Sequence, residues 1–187
     1  MDYMYQGDNK TNDQGKYWKN TCSVTGEAML FKYMGITQKN PDKLYPDELY
    51  DELKNKGRGG PKLTNNIPGN TDELLKEYGY GDKYQKNFKN ENYNTWKKMI
   101  KDKIDEGKPV IAGGYTTASG HIMDIVGYDE KGFILHDPAG DRKVGYFKEY
   151  ENGKKNEDGK YVHYTYEQCK QWEIGYGRGW TGTIERR

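Results

Sequence analysis

The chain has 187 residues, of which 33% are hydrophobic, 32% charged and 14% aromatic. This length and composition predict one folded, strongly hydrophilic domain over residues 1–187, whose core draws much of its apolar surface from aromatic rings. Because 30 Lys and Arg face 29 Asp and Glu, the net charge is +1, which excludes a global field that would gather nucleic acid or an anionic membrane.

Neither a transmembrane segment nor a signal peptide is expected. No apolar run approaches the ~18 residues that a membrane span needs, and the start MDYMYQGDNK has neither a basic nor an apolar targeting region. Cys22 and Cys169 are far apart and form no C-x-x-C motif, so neither a disulfide framework nor a cysteine-based zinc site is favoured. We therefore expect no nucleic-acid or membrane partner, no cofactor, and a monomer.

The first part of the chain predicts helices. Val24, Ala28 and Phe31 recur at helical spacing after Cys22, and Gly35 follows as a stop signal, so a helix of about three turns is expected there. Three further helices are expected in PDELYDELKNKG, ending at Gly57; in TDELLKEYG, with Asn70 and Glu73 as a capping box; and in NTWKKMIKDKIDEG, with Asn94 as N-cap and Gly107 as stop.

After Gly107 the pattern changes to short β-prone runs. Strands are expected in KPVIAGGY, HIMDIVGYD, GFILHDP, RKVGYF, KYVHYTY and WTGTIE. A tight turn around Asp129–Lys131 would join the second and third of these into a hairpin. Helices followed by a mostly antiparallel sheet predict an α+β domain.

Three residues have the chemistry of a nucleophilic site. The free N–H groups and dipole at a helix start stabilise a thiolate and an oxyanion, and Cys22 lies at such a start. A thiolate nucleophile needs an imidazole held by a third group. His121 opens one predicted strand and Asp137 ends the next, so hairpin pairing would make them neighbours. A small buried cysteine and a merely hydrogen-bonded histidine remain the alternatives.

Other candidate sites are weaker. His121, Asp124, His136 and Asp137 could suggest a metal site, but strand alternation points adjacent residues 136 and 137 to opposite faces. Cys169 is expected to be a packing residue and His163 to lie on the sheet surface. The arginines of the RGG and GYGRGW segments are isolated, so they make poor nucleic-acid contacts. The aromatic C-terminal part is expected to fill the core, with some rings lining a cleft.

Three segments together resemble the papain-like cysteine peptidases of the bacteriocin-leader-processing (double-glycine peptidase) superfamily, especially its stand-alone and phage-associated members. These segments are KNTCSVTGEAMLFKYMGI, EGKPVIAGGYTTASGHIMDIVGYD and GFILHDPAGD. Each is weakly diagnostic alone, but the family has all of them in this order. Ser23 replaces a glycine that is usual after the cysteine of the peptidase members, and Gly26 replaces a common serine.

The resemblance implies a papain-like fold and a set of roles. Cys22 matches the nucleophile, His121 the general base and acid, and Asp137 the group that orients the imidazole. The family also places a glutamine before the cysteine as oxyanion-hole donor. Gln6, in YMYQGDN, matches that lead-in better than Gln14.

The function that the resemblance implies is amide hydrolysis through a Cys-His-Asp triad, without a metal. Stand-alone relatives of this size are similar to catalytic domains of phage lysins, so a phage or bacterial peptidoglycan peptide is the expected substrate. The expected place of action is the bacterial cell wall or the extracellular space, after phage lysis, from a virion, or as a domain of a longer protein. The alternatives are a peptidase for a polypeptide such as a leader peptide, and an inactive papain-like binding module.

Overall fold

The computed structural model describes residues 1–10, 20–59, 67–86, 92–146 and 157–185. Within these residues lie five α-helices, six β-strands and two short 3-10 turns. The helices are α1 Cys22–Tyr33, α2 Tyr45–Asn55, α3 Ile67–Glu77, α4 Tyr93–Asp105 and α5 Tyr166–Gln171. The strands are β1 Tyr84–Lys86, β2 Val110–Gly114, β3 His121–Tyr128, β4 Gly132–His136, β5 Val162–Thr165 and β6 Trp180–Ile184. The 3-10 turns are Gln6–Asp8 and Gly81–Lys83.

The six strands form one sheet in the order β1-β6-β2-β3-β4-β5, and every pairing in it is antiparallel. The predicted hairpin is β3–β4, in which Tyr128 lies opposite Phe133 and Asp124 opposite His136. A bulge between Ile125 and Gly127 shifts the register by one residue. Helices packed on an antiparallel sheet confirm the α+β expectation.

Helices cover both faces of the sheet and enclose two apolar cores. On one face, α1 packs against β2 and β3 through side chains such as Ile111 and Ile122, α2 packs on α1 and α3, and α3 contacts β1. On the other face, α4 and α5 pack against the alternate side chains of the same sheet, including Met123 and Phe133 around the buried Trp96. Because successive side chains of a strand point to opposite faces, neighbouring residues of one strand contribute to different cores.

Helix α1 is the central helix of the first core. All ten residues from Cys22 to Phe31 are buried, including the polar Thr25 and Glu27, although the sequence predicted only a stripe at Val24, Ala28 and Phe31. A helix that is buried all round positions its first residue rigidly, because every side is packed. Within the described part of the chain, no helix combines the length and apolarity needed to cross a membrane.

Two helix boundaries differ from the prediction. Helix α3 already includes Asn70, so Asn70 and Glu73 make no capping box. Instead, Arg58 donates a hydrogen bond to Asn70 Oδ1 (2.8 Å) and forms an ion pair with Glu73 Oε2 (2.8 Å). The N-cap of α4 is Asn92, whose side chain accepts from the backbone of Asn94 and Thr95. In each case the helix starts earlier than the first strong signal, and for α4 the Asn92 side chain satisfies the terminal N–H groups.

One predicted strand is absent and one strand was not predicted. Residues 142–146, the described part of RKVGYF, form turns, and the backbone N–H groups of Val144 and Gly145 both donate to the Asp141 carbonyl (3.1 Å each). Strand β1 pairs its three residues with β6 at the sheet edge and has too few residues for a sequence pattern.

Candidate active site

Cys22 is the first residue of α1 and is almost buried. The hydroxyl of the preceding residue, Thr21, accepts a hydrogen bond from Asn9 Nδ2 at 2.8 Å, and the same amide group donates to Thr25 Oγ1 at 2.9 Å. Asn9 therefore ties the N-terminal segment to the first turn of α1. The first backbone N–H groups of a helix have no partner within the helix, so those at Cys22 and Ser23 can stabilise negative charge beside the thiol.

His121 begins β3 at the end of the sheet, opposite Gly114. The chain enters this strand through Gly120, whose φ of 86° is unfavourable for residues with a side chain, which explains a glycine directly before the histidine. The imidazole Nε2 lies 2.6 Å from Asp137 Oδ1. The sequence-predicted contact between His121 and Asp137 is therefore present in the structure.

The loop that begins with Asp137 is fixed through its backbone. The Asp137 N–H donates to Gly159 O (2.8 Å), and its carbonyl accepts from the Tyr3 hydroxyl (3.0 Å). A Cβ atom at position 159 would lie 1.9 Å from Asp137 O, so only glycine fits this close approach. These contacts hold the carboxylate at one place relative to the sheet.

The carboxylate of Asp137 is fully buried and accepts four hydrogen bonds. Oδ1 accepts from His121 and from the Ala139 N–H (3.1 Å), and Oδ2 accepts from the hydroxyls of Tyr146 and Tyr164 (3.0 Å each). A buried charge is stable only when it is paired and hydrogen-bonded. Asp137 meets this condition with its charge directed at the imidazole.

Each of the two phenols has a second hydrogen-bond partner. Thr116 Oγ1 lies 2.8 Å from the Tyr146 hydroxyl, and the Arg142 N–H donates to the Tyr164 hydroxyl at 2.9 Å. Arg142 also donates from Nε to Thr116 O (2.9 Å), so the residue that contacts Tyr164 is bonded to the residue that contacts Tyr146. Because an ionised carboxylate only accepts and each hydroxyl has one proton, both phenol protons are assigned to Asp137, and the Thr116 hydroxyl then donates to Tyr146. Sequence reasoning missed both tyrosines, because neither is close to Asp137 in a recognisable motif.

The electrostatic environment favours a protonated His121. Burial would lower its pKa, but the negative charge and hydrogen bond of Asp137, together with the hydrogen bond and charge of Cys22, outweigh burial and raise the pKa above its ordinary value. Because Nε2 is engaged by Asp137, the nitrogen that serves Cys22 is Nδ1. The structure thus brings Cys22, His121 and Asp137 together in the predicted order.

Gln6 lies on the 3-10 turn between two anchors of the site. Its backbone N–H donates to Pro138 O at 2.9 Å, beside Asp137, while Asn9 at the end of the turn binds the start of α1. The side chain is buried. The role of its side chain as an oxyanion donor stays a prediction. The rival candidate, Gln14, lies outside the described residues.

A cavity of about 270 Å³ gives access to Cys22 and His121. Its remaining walls include Tyr115, Arg178 and Trp180. A larger depression of about 800 Å³ lies between the N-terminal segment, the end of α1 and the start of α2, and none of the triad lines it. The smaller cavity is the candidate substrate site, because it contains the reactive groups whereas the larger one does not.

The other polar residues noted in the sequence lie apart from the triad. Asp124 faces α1, where its Oδ2 is 3.5 Å from the position a Cβ of Gly26 would take, and His136 contacts the rings of Tyr3 and Tyr161. Among the described residues, no group of three or more His, Cys, Asp and Glu could hold a metal ion.

The two remaining residues that the sequence singled out also lie away from the cavity. His163 is partly exposed and bonds Asp129 at 3.0 Å. Cys169 is fully buried, and burial raises the pKa of its thiol to about 12. Such a thiol is unreactive, as expected of a packing residue.

Comparisons with known proteins agree with this architecture. A search of the curated proteins found no match. Among solved structures, the chain is similar to the crystal structure of a Bacillus anthracis protein described as a C39-like peptidase, with a TM-score of 0.58 and 18% identity over 99% of this chain and 94% of that one. At this identity the likeness concerns the fold. The model of the Peptidase_C39 like family matches residues 1–170, and the chain therefore belongs to that family of papain-like peptidases.

Proposed function

We propose that this protein is a thiol hydrolase that cleaves amide bonds with Cys22 as nucleophile, His121 as general acid and base, and Asp137 as the group that orients the imidazole. The observation that carries the proposal is the 2.6 Å contact of His121 Nε2 with the buried Asp137, which leaves Nδ1 for the Cys22 thiol. Family membership supports a peptidase. Gln6 and the Cys22 N–H are the proposed oxyanion donors.

The mechanism follows from this geometry. The thiolate of Cys22 attacks the carbonyl carbon, and the oxyanion that forms is stabilised by the donors at the start of α1. The proton on His121 Nδ1 passes to the leaving nitrogen, the C–N bond breaks, and an acyl thioester remains. Water then attacks this thioester while Nδ1 accepts its proton, and the C–S bond breaks, which releases the acid and restores the Cys22 thiolate beside a protonated His121.

The phenols of Tyr146 and Tyr164 are expected to support this cycle without touching the substrate. Replacing either by phenylalanine removes one donor from Asp137 Oδ2, so we expect kcat to fall about three- to tenfold and the alkaline limb of the pH profile to move upward, because the less stabilised carboxylate holds the imidazolium more strongly. Steady-state kinetics between pH 5 and 10 measure both effects. Tyr93→Phe is the matched control, since its hydroxyl bonds the Tyr166 carbonyl away from the site.

The proposed substrate is the peptide part of bacterial peptidoglycan, as in an endolysin-type endopeptidase or amidase acting at the cell wall. The cavity supports a short peptide, because its volume of about 270 Å³ accommodates only a few atoms on either side of the thiol. The resemblance to stand-alone and phage-associated members supports the wall over a leader peptide. A polypeptide substrate is the second candidate within the same chemistry.

Cys22→Ala is expected to abolish the release of new amino groups from purified cell walls, a loss of at least about a thousandfold, because no other group can form the thioester. Amine labelling and mass spectrometry of the soluble fragments measure it. Cys169→Ala is the matched control, since that thiol lies in the second core, and it should retain activity when its circular dichroism is unchanged.

The same experiment separates the alternatives. If cell walls stay intact while unfolded polypeptides are cleaved in a Cys22-dependent way, the wall substrate is rejected. The proposal of a thiol hydrolase would still stand. A biological activity that is the same in Cys22→Ala and in the wild type would reject catalysis altogether, and a binding module would be the remaining function.

A further inference from the structure

We infer that Arg178 forms a carboxylate-binding subsite beside Cys22, and that the preferred substrate carries an acidic group close to its scissile bond; this inference rests on the proposed function. Arg178 lies in the turn before β6 and lines the same cavity as Cys22 and His121. No motif in the sequence pointed to this arginine as part of the site.

The guanidinium is held in place by two neighbours. Glu173 Oε2 accepts hydrogen bonds from both the backbone N–H and the Nε of Arg178 at 2.9 Å each. The guanidinium carbon lies 4.1 Å from the centre of the Tyr115 ring, which also lines the cavity. An arginine fixed through Nε on one side and a ring below is preorganised, so little side-chain entropy is lost when it binds a ligand.

The chemistry of the remaining donors selects the ligand. An arginine engaged at Nε presents its two terminal nitrogens, whose spacing matches the two oxygens of a carboxylate. Of the described residues that line the cavity, Arg178 alone carries a full charge besides the proposed Cys22–His121 ion pair, whose two charges offset each other. The walls otherwise consist of aromatic, aliphatic, glycine and small polar residues. A negative group is therefore favoured in this cavity and a positive group disfavoured.

Solvent exposure limits the size of the effect. The side chain of Arg178 is 69% exposed and Glu173 offsets part of its charge, so the preference is expected to be moderate and to decrease with salt. The competing explanation is that Arg178 only closes the turn around Glu173. A closing residue would influence all substrates equally, whereas a subsite distinguishes charged from neutral ones.

A substrate-independent experiment tests the subsite. In a Cys169→Ser background, the rates of Cys22 alkylation by iodoacetate and by iodoacetamide are compared, since these reagents differ by one carboxylate. We expect Arg178→Gln to lower the iodoacetate-to-iodoacetamide ratio about three- to tenfold, with the iodoacetate rate falling more than the iodoacetamide rate. Lys98→Gln, which removes a cation from an exposed ion pair on α4, is the control for net charge and should leave the ratio unaltered.

The outcomes have distinct meanings. A ratio that is unchanged in Arg178→Gln, or an equal slowing of both reagents, would overturn the subsite and leave the hydrolase proposal intact. An iodoacetamide rate that does not depend on His121 would instead reject the proposed triad. The second measurement uses a synthetic peptide library with Glu, Gln, Ala or Lys at each position. The wild type should cleave peptides with Glu close to the scissile bond in preference to those with Gln, and this preference should disappear in Arg178→Gln.

Discussion

In a Cys169→Ser background, His121→Ala is expected to slow the alkylation of Cys22 by iodoacetamide at pH 6 about a hundredfold. Only the thiolate reacts, and an ordinary thiol with a pKa of about 8.5 is almost fully protonated at pH 6. The thiolate of Cys22 is stabilised by the start of α1 and by a protonated His121, whose pKa is raised by Asp137 and by the thiolate itself despite burial. Removal of the imidazole leaves only the helix contribution.

The pH dependence gives a second signature of the ion pair. A raised His121 pKa keeps the imidazolium present from mildly acidic to alkaline pH, so the wild-type rate should be nearly constant between pH 6 and 8. The variant rate should rise steeply over the same range. Stopped-flow or mass-spectrometric labelling measures both profiles.

His163→Ala is the control for these profiles, because it removes a histidine of the same sheet that bonds Asp129 instead of the triad. It should behave as the wild type. Parallel profiles for the wild type and His121→Ala would contradict the activated pair and favour the binding module.

The catalytic groups could be predicted from the sequence because local signals position them. Helix α1 begins at Cys22, as its helical spacing indicates, and the hairpin places His121 and Asp137 at one end as its turn requires. The bulge near Val126 shifts the register but does not separate the pair, since both residues lie beyond it toward the same end. Short-range patterns and one hairpin therefore indicate that the three residues come together, while their roles came from the family resemblance.

The groups that support the triad could not be predicted, because their contacts are distant in the chain. Tyr164 reaches Asp137 across 27 positions, and Tyr146 does so from a turn that resembled a strand in the sequence. Gly159 and Tyr3 hold the backbone of Asp137 from two further segments. Such contacts depend on the folded arrangement of loops, for which a single sequence has no periodic signal.

The polar face of α1 shows the same limit. The pattern of Val24, Ala28 and Phe31 predicted an apolar stripe and did not indicate how Glu27 would be placed. In the structure Glu27 is buried, and Thr71 of α3 donates a hydrogen bond to its Oε1. A buried carboxyl group behind the helix that carries Cys22 has a consequence for stability.

Glu27→Gln is expected to stabilise the protein at pH 8 and to flatten the fall of stability between pH 5 and 8. Burial raises the pKa of Glu27 to about 8, against which the Thr71 bond acts only partly. Burial, and the nearby charge of Glu27, also raise the pKa of Asp124 well above its ordinary value. Both carboxyl groups therefore favour a neutral form in the folded protein.

The sign follows from linkage between proton binding and folding. In the unfolded chain Glu27 ionises near its ordinary pKa of 4.5, so the contribution of its neutral form is fully present below that pH and is lost as the pH rises to about 8. At about 1.4 kcal/mol per pKa unit, the total loss is on the order of 4 kcal/mol, of which the neutral glutamine avoids most. Chemical denaturation at pH 5, 6.5 and 8 measures the difference.

Glu106→Gln supplies a control of the opposite sign. Glu106 is exposed, and the hydrogen bond that it accepts from Lys108 and the charge of Lys103 lower its pKa. Its ionised form therefore stabilises the fold, and the substitution should not raise stability at pH 8. If Glu27→Gln shows the same pH dependence as the wild type, Glu27 does not remain neutral behind α1. If it does flatten the curve, the loss of stability of the wild type at alkaline pH has a cause in the packing of α1, separate from the titration of His121.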